Sequence, residues 1–286
     1  MKKLCFPATA RPHLARQQLL LQELRRDFSV DIFQPMKREE SMAVSSIFYA
    51  VVFSNFLNGK NYDAVLVRGD RYEMLPFVMV AAYRGIPIIH LEGGDLSGVI
   101  DNKVRHAITH LSDYHFCTNE ESHQRLIAMG ISPERVWNFG SLDVEYAAQV
   151  KEQKMRKGQY LFVAYHCIEN ENEQELNEVL KLYENDEDWN IVRIGGNKDY
   201  GREYKGEEYP PDEYINLLRG ASCAVGNSSS LIKEASILGT PVVLVGDRQQ
   251  KRLLPVNVTH VPCETDRIAA AIRYQLGNVY EKDLTY

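Results

Sequence analysis

Short apolar runs rich in β-branched residues alternate along this 286-residue chain with stretches whose apolar residues recur at helical spacing. The alternation indicates parallel-sheet α/β construction, because a parallel strand needs a crossover, usually a helix, before the next strand begins. It predicts strands at 3–8, 30–34, 64–68, 87–91, 114–117, 136–139, 161–165, 191–194, 223–225, 242–245 and 258–261. It predicts helices at 12–26, 72–83, 102–111, 121–129, 171–183, 211–219, 229–238 and 266–276.

The length and one polar stretch predict two domains. A chain of 286 residues exceeds what one hydrophobic core usually serves, and residues 147–159, AAQVKEQKMRKGQ, interrupt the alternation. We expect an N-terminal Rossmann-like domain at 1–152 and a C-terminal one at 153–286, whose last helix can pack back on the first. The expected fold class is α/β, two Rossmann-like domains with a cleft between them, since open α/β sheets bind ligands at the carboxyl ends of strands.

The composition limits the classes of partner that the protein is expected to bind. The net charge of −6 argues against a general grip on nucleic acid, while leaving room for a basic pocket that holds a small phosphorylated molecule. The five cysteines lie far apart without CxxC spacing, which suits a reducing cytoplasm and indicates neither a disulfide framework nor a zinc ribbon. No apolar run reaches membrane-spanning length, and no HxxxH or HExxH helix predicts a metal site.

Two acidic residues follow two consecutive predicted strands. Asp70 ends the run AVLVRGD and Glu92 follows PIIHL, so both are expected at the same edge of the sheet. Asp70 could equally cap the helix that follows it. The Gly-Gly pair after Glu92 allows a sharp turn or a close approach to a ligand, although an ordinary loop is the more frequent reason for such a pair.

Asp101 and Arg105 stand four residues apart at the start of a predicted helix. They share a face and can form a surface ion pair, or both can face a ligand, and the crowding of polar residues after the strand favours the second reading. His166 ends the run LFVAYH, where it could move a proton or bind a phosphate oxygen; a structural role is equally open.

A second group of residues predicts an anion site. The segment CAVGNSSSLIKEA places free N–H groups and hydroxyls between a strand and a helix, where they can bind phosphate or simply cap the helix. No GK[ST] follows, so it is not a Walker loop. The candidate binding residues in and around it are Gly226, Asn227, Ser228, Ser229 and Glu234, with Arg248 and Arg252 after the next strand and Arg11 after the first one.

Two long segments carry a family resemblance. HLEGGDLSGVIDNKVRHAITHLSDYHFCT and VGNSSSLIKEASILGTPVVLVGDRQQKR, together with VLVRGDRYEML and ATARPHL, resemble the hydrolysing UDP-N-acetylglucosamine 2-epimerases of sialic-acid or legionaminic-acid synthesis. The chain looks like a shortened member of that family. The resemblance implies the two-domain fold of the type B glycosyltransferases, with UDP held mainly by the second domain.

The implied reaction removes the C2 proton of a UDP-2-acetamido sugar with loss of UDP and then adds water with inversion at C2, releasing an N-acetylmannosamine-type sugar. It needs neither a cofactor nor a metal, and the family analogy suggests a homodimer or a homotetramer. By resemblance Asp70, Glu92, Asp101 and His166 handle protons and Arg105 orients the acids. Arg11, Ser228, Ser229, Glu234, Arg248 and Arg252 would hold UDP.

Three other readings remain open. A glycosyltransferase of the same architecture would release UDP only when an acceptor is supplied. A shortened, non-catalytic relative would bind a nucleotide sugar without turnover. A non-hydrolysing epimerase would keep UDP on its product, although the GGD-SG-IDN-RHAIT pattern leans away from that.

Overall fold

The computed structural model describes residues 1–9, 17–36, 41–168, 173–195 and 204–286. These residues divide into two compact units, Met1–Leu142 and Asp143–Tyr286. Each unit is built on its own parallel sheet, of six strands in the first and five in the second.

The first unit is a doubly wound domain with strand order β2-β1-β3-β4-β5-β6 and parallel pairing throughout. Its strands are β1 (Lys2–Pro7), β2 (Phe28–Phe33), β3 (Ala64–Arg68), β4 (Ile88–Leu91), β5 (Tyr114–Cys117) and β6 (Val136–Asn138). Its described helices are α1 (Gln18–Asp27), α2 (Met42–Phe56), α3 (Met74–Tyr83), α4 (Asp101–Leu111) and α5 (Glu120–Ala128), with a 3₁₀ turn at Pro133–Arg135.

Strand β3 lies between β1 and β4, and residues 64–67 are buried because both faces of the sheet are covered. On one face Val65 and Val67 pack with Phe53 of α2 and Phe77 of α3. On the other face Leu66 packs with Leu21 of α1. The buried faces fix the register of β3, and the register sets which side chains its carboxyl end presents.

The second unit has strand order β11-β10-β9-β7-β8, again parallel. Its strands are β7 (Gln159–Ala164), β8 (Trp189–Ile194), β9 (Cys223–Gly226), β10 (Val242–Val245) and β11 (Val258–Val261). Its described helices are α6 (Leu142–Gln149), α7 (Glu173–Glu184), α8 (Pro211–Arg219), α9 (Lys233–Leu238) and α10 (Thr265–Gln275).

In each sheet the order in which successive strands are added reverses next to the first strand of the unit. The reversal point lies between β1 and β3 in one unit and between β7 and β9 in the other. In open α/β sheets such a reversal point is where ligands bind, outside the carboxyl ends of the strands. The segments that follow β3 and β9 contain the Gly-Asp and Gly-Asn-Ser sequences singled out above. The predicted fold class, α/β with two Rossmann-like domains, is confirmed.

Every predicted strand appears within two residues of its expected ends. Helix α2 was not predicted, because its 15 residues carry no charge and show no polar stripe to reveal a helical period. The predicted helix 229–238 is divided into a 3₁₀ turn, Ser229–Leu231, and the six-residue α9.

The units divide between 142 and 143, whereas the polar stretch predicted a boundary between 152 and 153. The physical reason is that α6 belongs to the second core, where Val144 and Ala147 pack with Phe162. The polar stretch itself is bound to α8, since Asn216 Oδ1 accepts from the Gln153 N–H at 3.0 Å and its Nδ2 donates to the Lys151 carbonyl.

The last helix, α10, packs within the second unit, where Ile268 and Ile272 join the core residues of β9 and β10. Within the described parts of the chain, no helix has the length and apolar character needed to span a membrane.

Candidate active site

Arg68 and Glu92 form an ion pair where β3 and β4 end. The Arg68 Nη2 atom lies 2.8 Å from Glu92 Oε1, and the two side chains are only 9% and 13% exposed. Among the non-glycine residues that the structure describes, Glu92 alone has a positive φ, of 65°. A left-handed backbone at a residue with a Cβ carries a strain of about 1–3 kcal/mol, and such strain concentrates at functional sites.

Asp70, at the same edge, pairs with Arg105 of α4. Arg105 is 2% exposed, and its Nη1 also donates to the Asp95 carbonyl at 2.7 Å and to Asn102 Oδ1 at 3.4 Å. One guanidinium therefore joins the loop after β3, the loop after β4 and the first turn of α4. The ion pair ties the Asp70 carboxylate to a buried side chain of α4.

The loop after β4 is held by buried polar contacts. Asp95 is 4% exposed, and its Oδ1 accepts from the Thr118 hydroxyl at 2.7 Å and from the Ser122 hydroxyl at 2.8 Å. Gly94 has φ 82°, and a Cβ built there would lie 2.4 Å from the Ser122 carbonyl. Asp95 thus anchors the loop, and the Gly-Gly pair permits its close approach to α5.

His90 connects the two acidic loops from inside the sheet. Its Nε2 lies 3.0 Å from the Gly69 carbonyl, which can only accept, so Nε2 carries the proton. The Thr109 hydroxyl then donates to Nδ1 at 3.3 Å. Burial lowers the pKa of His90 from 6.5 to about 3, against the smaller opposing effect of the Gly69 hydrogen bond. His90 is therefore a neutral donor to the carbonyl that precedes Asp70.

Two further histidines of this region, His115 and His106, have lowered pKa values. His115, on β5, is fully buried, and burial lowers its pKa to about 4. His106 lies 3.3 Å from the Met129 sulfur through Nδ1, and burial together with the Arg105 guanidinium lowers its pKa. Asp101 is the first residue of α4 and is partly exposed, one turn before Arg105.

In the second unit, the ends of β7 and β9 meet through Asn227. This residue is fully buried; its Oδ1 accepts from the His166 N–H at 2.7 Å and its Nδ2 donates to the His166 carbonyl at 2.9 Å. Its own N–H and that of Ser228 donate to the Ala164 carbonyl at 3.1 and 3.2 Å. Gly226 is required just before, since a Cβ there would lie 2.1 Å from the same carbonyl oxygen.

The loop after β10 attaches to the same residue. Arg248 Nη1 and Gln249 Nε2 donate to the Asn227 carbonyl at 2.9 and 3.3 Å, and Arg252 Nε donates to Gln249 Oε1 at 2.6 Å. Two of the predicted UDP-binding arginines are therefore brought to the GNSSS segment, and Gln249 links them.

The serines and Glu234 complete this edge. The Ser228 hydroxyl accepts from the Ser230 N–H at 3.4 Å and lies 3.0 Å from the Ser230 hydroxyl, as a cap of the 3₁₀ turn that starts at Ser229. Glu234, in the first turn of α9, is 1% exposed. Arg11, the other predicted phosphate contact, lies outside the described residues.

Sequence reasoning missed Arg68, His90 and Gln249. A detectable signal existed for Arg68, because a cation that directly follows a buried apolar strand is expensive to desolvate without a partner. The alternating pattern gave no such signal for His90, because this histidine lies within an apolar run. Across the described portion of the chain, no cluster of three or more histidine, cysteine, aspartate or glutamate side chains could hold a metal ion.

Each unit is built on a Rossmann-like sheet, with paired acids at the strand ends of the first and an Asn-Ser-Arg cluster at the strand ends of the second, which defines a two-domain α/β protein of the Rossmann-like class. The family model described as UDP-N-acetylglucosamine 2-epimerase matches residues 13–284. The chain belongs to the UDP-N-acetylglucosamine 2-epimerase family.

Relatives with about 30% identity support the same family assignment. The chain is 31% identical over 251 residues to polysialic acid biosynthesis protein P7 of Escherichia coli, a match that covers 77% of this chain and 64% of that protein. It is 33% identical over 255 residues to the hydrolysing UDP-N,N'-diacetylbacillosamine 2-epimerase of Legionella pneumophila, covering 79% and 67%. The matches thus span about two thirds of these relatives' own length.

A solved structure shares the fold. The UDP-GlcNAc 2-epimerase of Neisseria meningitidis, in its complex with UDP-GlcNAc, superimposes with a TM-score of 0.83 at 18% identity, over all of this chain and 96% of that one. At this identity the similarity establishes the fold alone.

Proposed function

We propose that this protein is a hydrolysing 2-epimerase that converts UDP-N-acetylglucosamine, or a related UDP-2-acetamido sugar, to an N-acetylmannosamine-type sugar and UDP. One observation carries the proposal: Asp70 and Glu92 end adjacent strands at one sheet edge, and each carboxylate is paired with a guanidinium that is almost fully buried. The names of the relatives support a hydrolysing reaction on a UDP-2-acetamido sugar.

The proposed reaction has two steps, an elimination of UDP and an addition of water. A carboxylate takes the C2 proton while the C1–O bond breaks, and UDP leaves with the bonding electron pair. Water then adds its oxygen to C1 of the resulting glycal while a protein base accepts one of the water protons, and a protein acid returns a proton to C2 from the opposite face. The first step needs a placed base, and the second needs an acid on the other side of the sugar.

The first unit is proposed to supply the groups that act at C2. Asp70 and Glu92 are fixed by Arg105 and Arg68, so their oxygens keep defined positions. Asp101 precedes Arg105 by one turn of the same helix. Ordered acids of this kind suit proton transfer, which demands that the donor and the acceptor be within hydrogen-bond distance of the reacting carbon.

The second unit is proposed to bind UDP. Arg248 and Arg252 can neutralise the diphosphate as it leaves, because a guanidinium matches phosphate oxygens with parallel N–H donors. Ser228 and Ser229 add hydroxyl and N–H groups, and Glu234 can accept from ribose hydroxyls. Arg11 is proposed as a further phosphate contact, and His166, held by Asn227, as a proton carrier.

A time course of ¹H and ³¹P NMR spectra in deuterated water, with UDP-N-acetylglucosamine as substrate, tests the function. We expect free UDP and an N-acetylmannosamine with deuterium at C2, since the returning proton comes from solvent. Asp70→Asn should lose both signals while still binding UDP. If UDP-N-acetylmannosamine forms with UDP still attached, the non-hydrolysing reaction replaces the proposed one. No release of UDP from any UDP-2-acetamido sugar would overturn the proposal.

The protein is further proposed to form a homodimer or homotetramer in the cytoplasm. The location suits the five cysteines, which form no disulfide among the described residues. Helix α2 has no charged residue, and its Val44, Ile47 and Val51 are 50%, 69% and 55% exposed, which supports self-association through this face. Light scattering after size-exclusion chromatography should show Ile47→Asp with a smaller mass than the wild type. A wild type of monomer mass would contradict the oligomer.

A further inference from the structure

Arg68 has a position that packing alone does not explain. It is the last residue of β3, where residues 64–67 are all buried, and its side chain is only 9% exposed. Removing a guanidinium from water is unfavourable unless a partner of opposite charge compensates. An apolar residue could end this strand at lower cost, so the cation is expected to act on its partner.

That partner is Glu92, whose conformation is unusual. Its carboxylate lies 2.8 Å from Arg68 Nη2, and its N–H donates to the Phe116 carbonyl at 2.7 Å while φ stays at 65°. The residue is therefore held at two points, one on the backbone and one at the end of the side chain. The backbone bond alone leaves the three side-chain torsions of a glutamate undetermined; the guanidinium adds a contact that constrains the carboxylate.

The main chain of Arg68 is itself fixed by the sheet. Arg68 is paired with Leu91 in the β3–β4 register, and the next N–H, of Gly69, donates to the Leu91 carbonyl at 2.9 Å. The guanidinium thus extends from a hydrogen-bonded strand backbone to the residue that follows Leu91. Asp70 is paired with a different cation, Arg105.

We propose that Arg68 is a positioning residue of the active site, which fixes the Glu92 carboxylate for proton transfer at C2 of the sugar. The proposal rests on the proposed function and adds a residue to it. In this proposal Arg68 acts through Glu92 and not directly on UDP or on the reacting carbon. Its loss should therefore slow the chemical step and leave the binding of nucleotide unchanged.

The first test compares Arg68→Met and Arg68→Lys with a matched control, Arg84→Met. Arg84 belongs to the same unit, and its exposed guanidinium donates to the Ser54 carbonyl and to Asn58 Oδ1 at 2.8 Å. We expect kcat to fall about 100-fold in Arg68→Met, as for a misplaced catalytic group, with KM and UDP affinity within about threefold of wild type. Arg68→Lys should retain an intermediate kcat, and the control should be unchanged.

Chemical rescue separates positioning from a structural role. Arg68→Ala leaves a space that guanidinium ion can fill, and added guanidinium should restore kcat on the order of tenfold, whereas ammonium should not. Glu92→Gln should show no rescue, because the group that the cation positions is gone. If Arg68→Met fails to fold, Arg68→Gln, which keeps a hydrogen-bond donor of similar length, takes its place in the kinetic comparison.

The outcomes distinguish the two proposals. A wild type that turns over UDP-N-acetylglucosamine, together with an Arg68→Met variant of equal kcat, overturns the role of Arg68 and leaves the function intact. A wild type without turnover overturns the function. Crystal structures of Arg68→Met and Arg68→Gln then decide the positioning role by themselves: a displaced Glu92 carboxylate supports it, and an unmoved one at the same φ overturns it.

Discussion

The side-chain amide of Asn227 bonds to both main-chain polar groups of His166, accepting from its N–H at 2.7 Å and donating to its carbonyl at 2.9 Å. The Asn227 N–H meanwhile donates to the Ala164 carbonyl at 3.1 Å. The amide continues the pairing of β7 with β9 beyond the last strand residues. The place of His166 is therefore set by a residue that lies 61 positions later in the chain.

Asn227→Asp tests this relationship with almost no change of shape. A carboxylate cannot donate to the His166 carbonyl, and it introduces a charge at a fully buried site, so we expect the free energy of unfolding to fall by about 3 kcal/mol. UDP affinity should fall as well, since Arg248 and Gln249 bind the carbonyl of the same residue. Urea unfolding and calorimetric titration with UDP measure the two effects.

The control for this variant is Asn185→Asp, an exposed position just after α7. We expect it to change neither stability nor UDP affinity measurably. If Asn227→Asp bound UDP as tightly as the wild type and the control, the contacts of Asn227 would not determine UDP affinity.

Arg105 and Asp70 allow a double-mutant cycle. Arg105→Met removes the partner of Asp70 and the donor to the Asp95 carbonyl, and breaking a buried pair in this way costs about 3–5 kcal/mol. In the Asp70→Asn background the same change should cost about 1–3 kcal/mol less, because no charge is left unpaired. Urea unfolding of the four proteins measures the coupling. Additive effects would mean that the pair contributes nothing beyond the Asp95 contact.

The position of Asp70 and Glu92 at one edge was predictable, because the carboxyl ends of parallel strands meet there whatever the details of packing. Their partners were not. The spacing of Asp101 and Arg105 left open a surface ion pair or a shared orientation toward a ligand, and in the structure the Arg105 guanidinium reaches Asp70 on another element. Partner choice is a tertiary property that depends on how α4 lies on the sheet, and spacing within one helix does not contain it.

The GNSSS segment shows the same limit. The sequence placed polar groups between β9 and the following helix, and the structure has them there. The sequence could not show that the Asn227 amide turns inward to His166, because this requires knowing that β7 and β9 are neighbours. Helix α2 illustrates a different limit: without a polar stripe, a 15-residue apolar helix has no period to detect.

Gly94 and Gly130 offer a matched pair of substitutions in the first unit. Both have positive φ, 82° and 90°, but a Cβ at Gly94 would lie 2.4 Å from the Ser122 carbonyl, while nothing lies within 4 Å of one at Gly130. We expect Gly130→Ala to cost about 1 kcal/mol of unfolding free energy, from backbone strain alone. Gly94→Ala should cost at least about 2 kcal/mol more, because the loop must move away from α5.

Thermal and urea unfolding measure this difference, and enzymatic turnover gives a second reading. The loop that Gly94 shapes follows Glu92 directly, so Gly94→Ala should lower kcat whereas Gly130→Ala should not. Equal stabilities of the two variants would show that the loop yields without cost.

His90 predicts a specific pH dependence of stability. Burial lowers its pKa from 6.5 to about 3, so the folded protein keeps it neutral while the unfolded chain binds a proton below about pH 6.5. The stabilisation is complete above that pH and is lost as the pH falls toward about 3, by about 1.4 kcal/mol per pH unit inside the window. His90→Gln retains a donor toward the Gly69 carbonyl and cannot be protonated. Between about pH 6 and about pH 4 its unfolding free energy should therefore fall less steeply than that of the wild type, by that amount per pH unit.

His115 and His106 also have lowered pKa values, but they are present in both proteins and cancel in the comparison. Urea unfolding of both proteins across this range is the measurement, and parallel curves would mean that His90 gains its proton without unfolding the first unit.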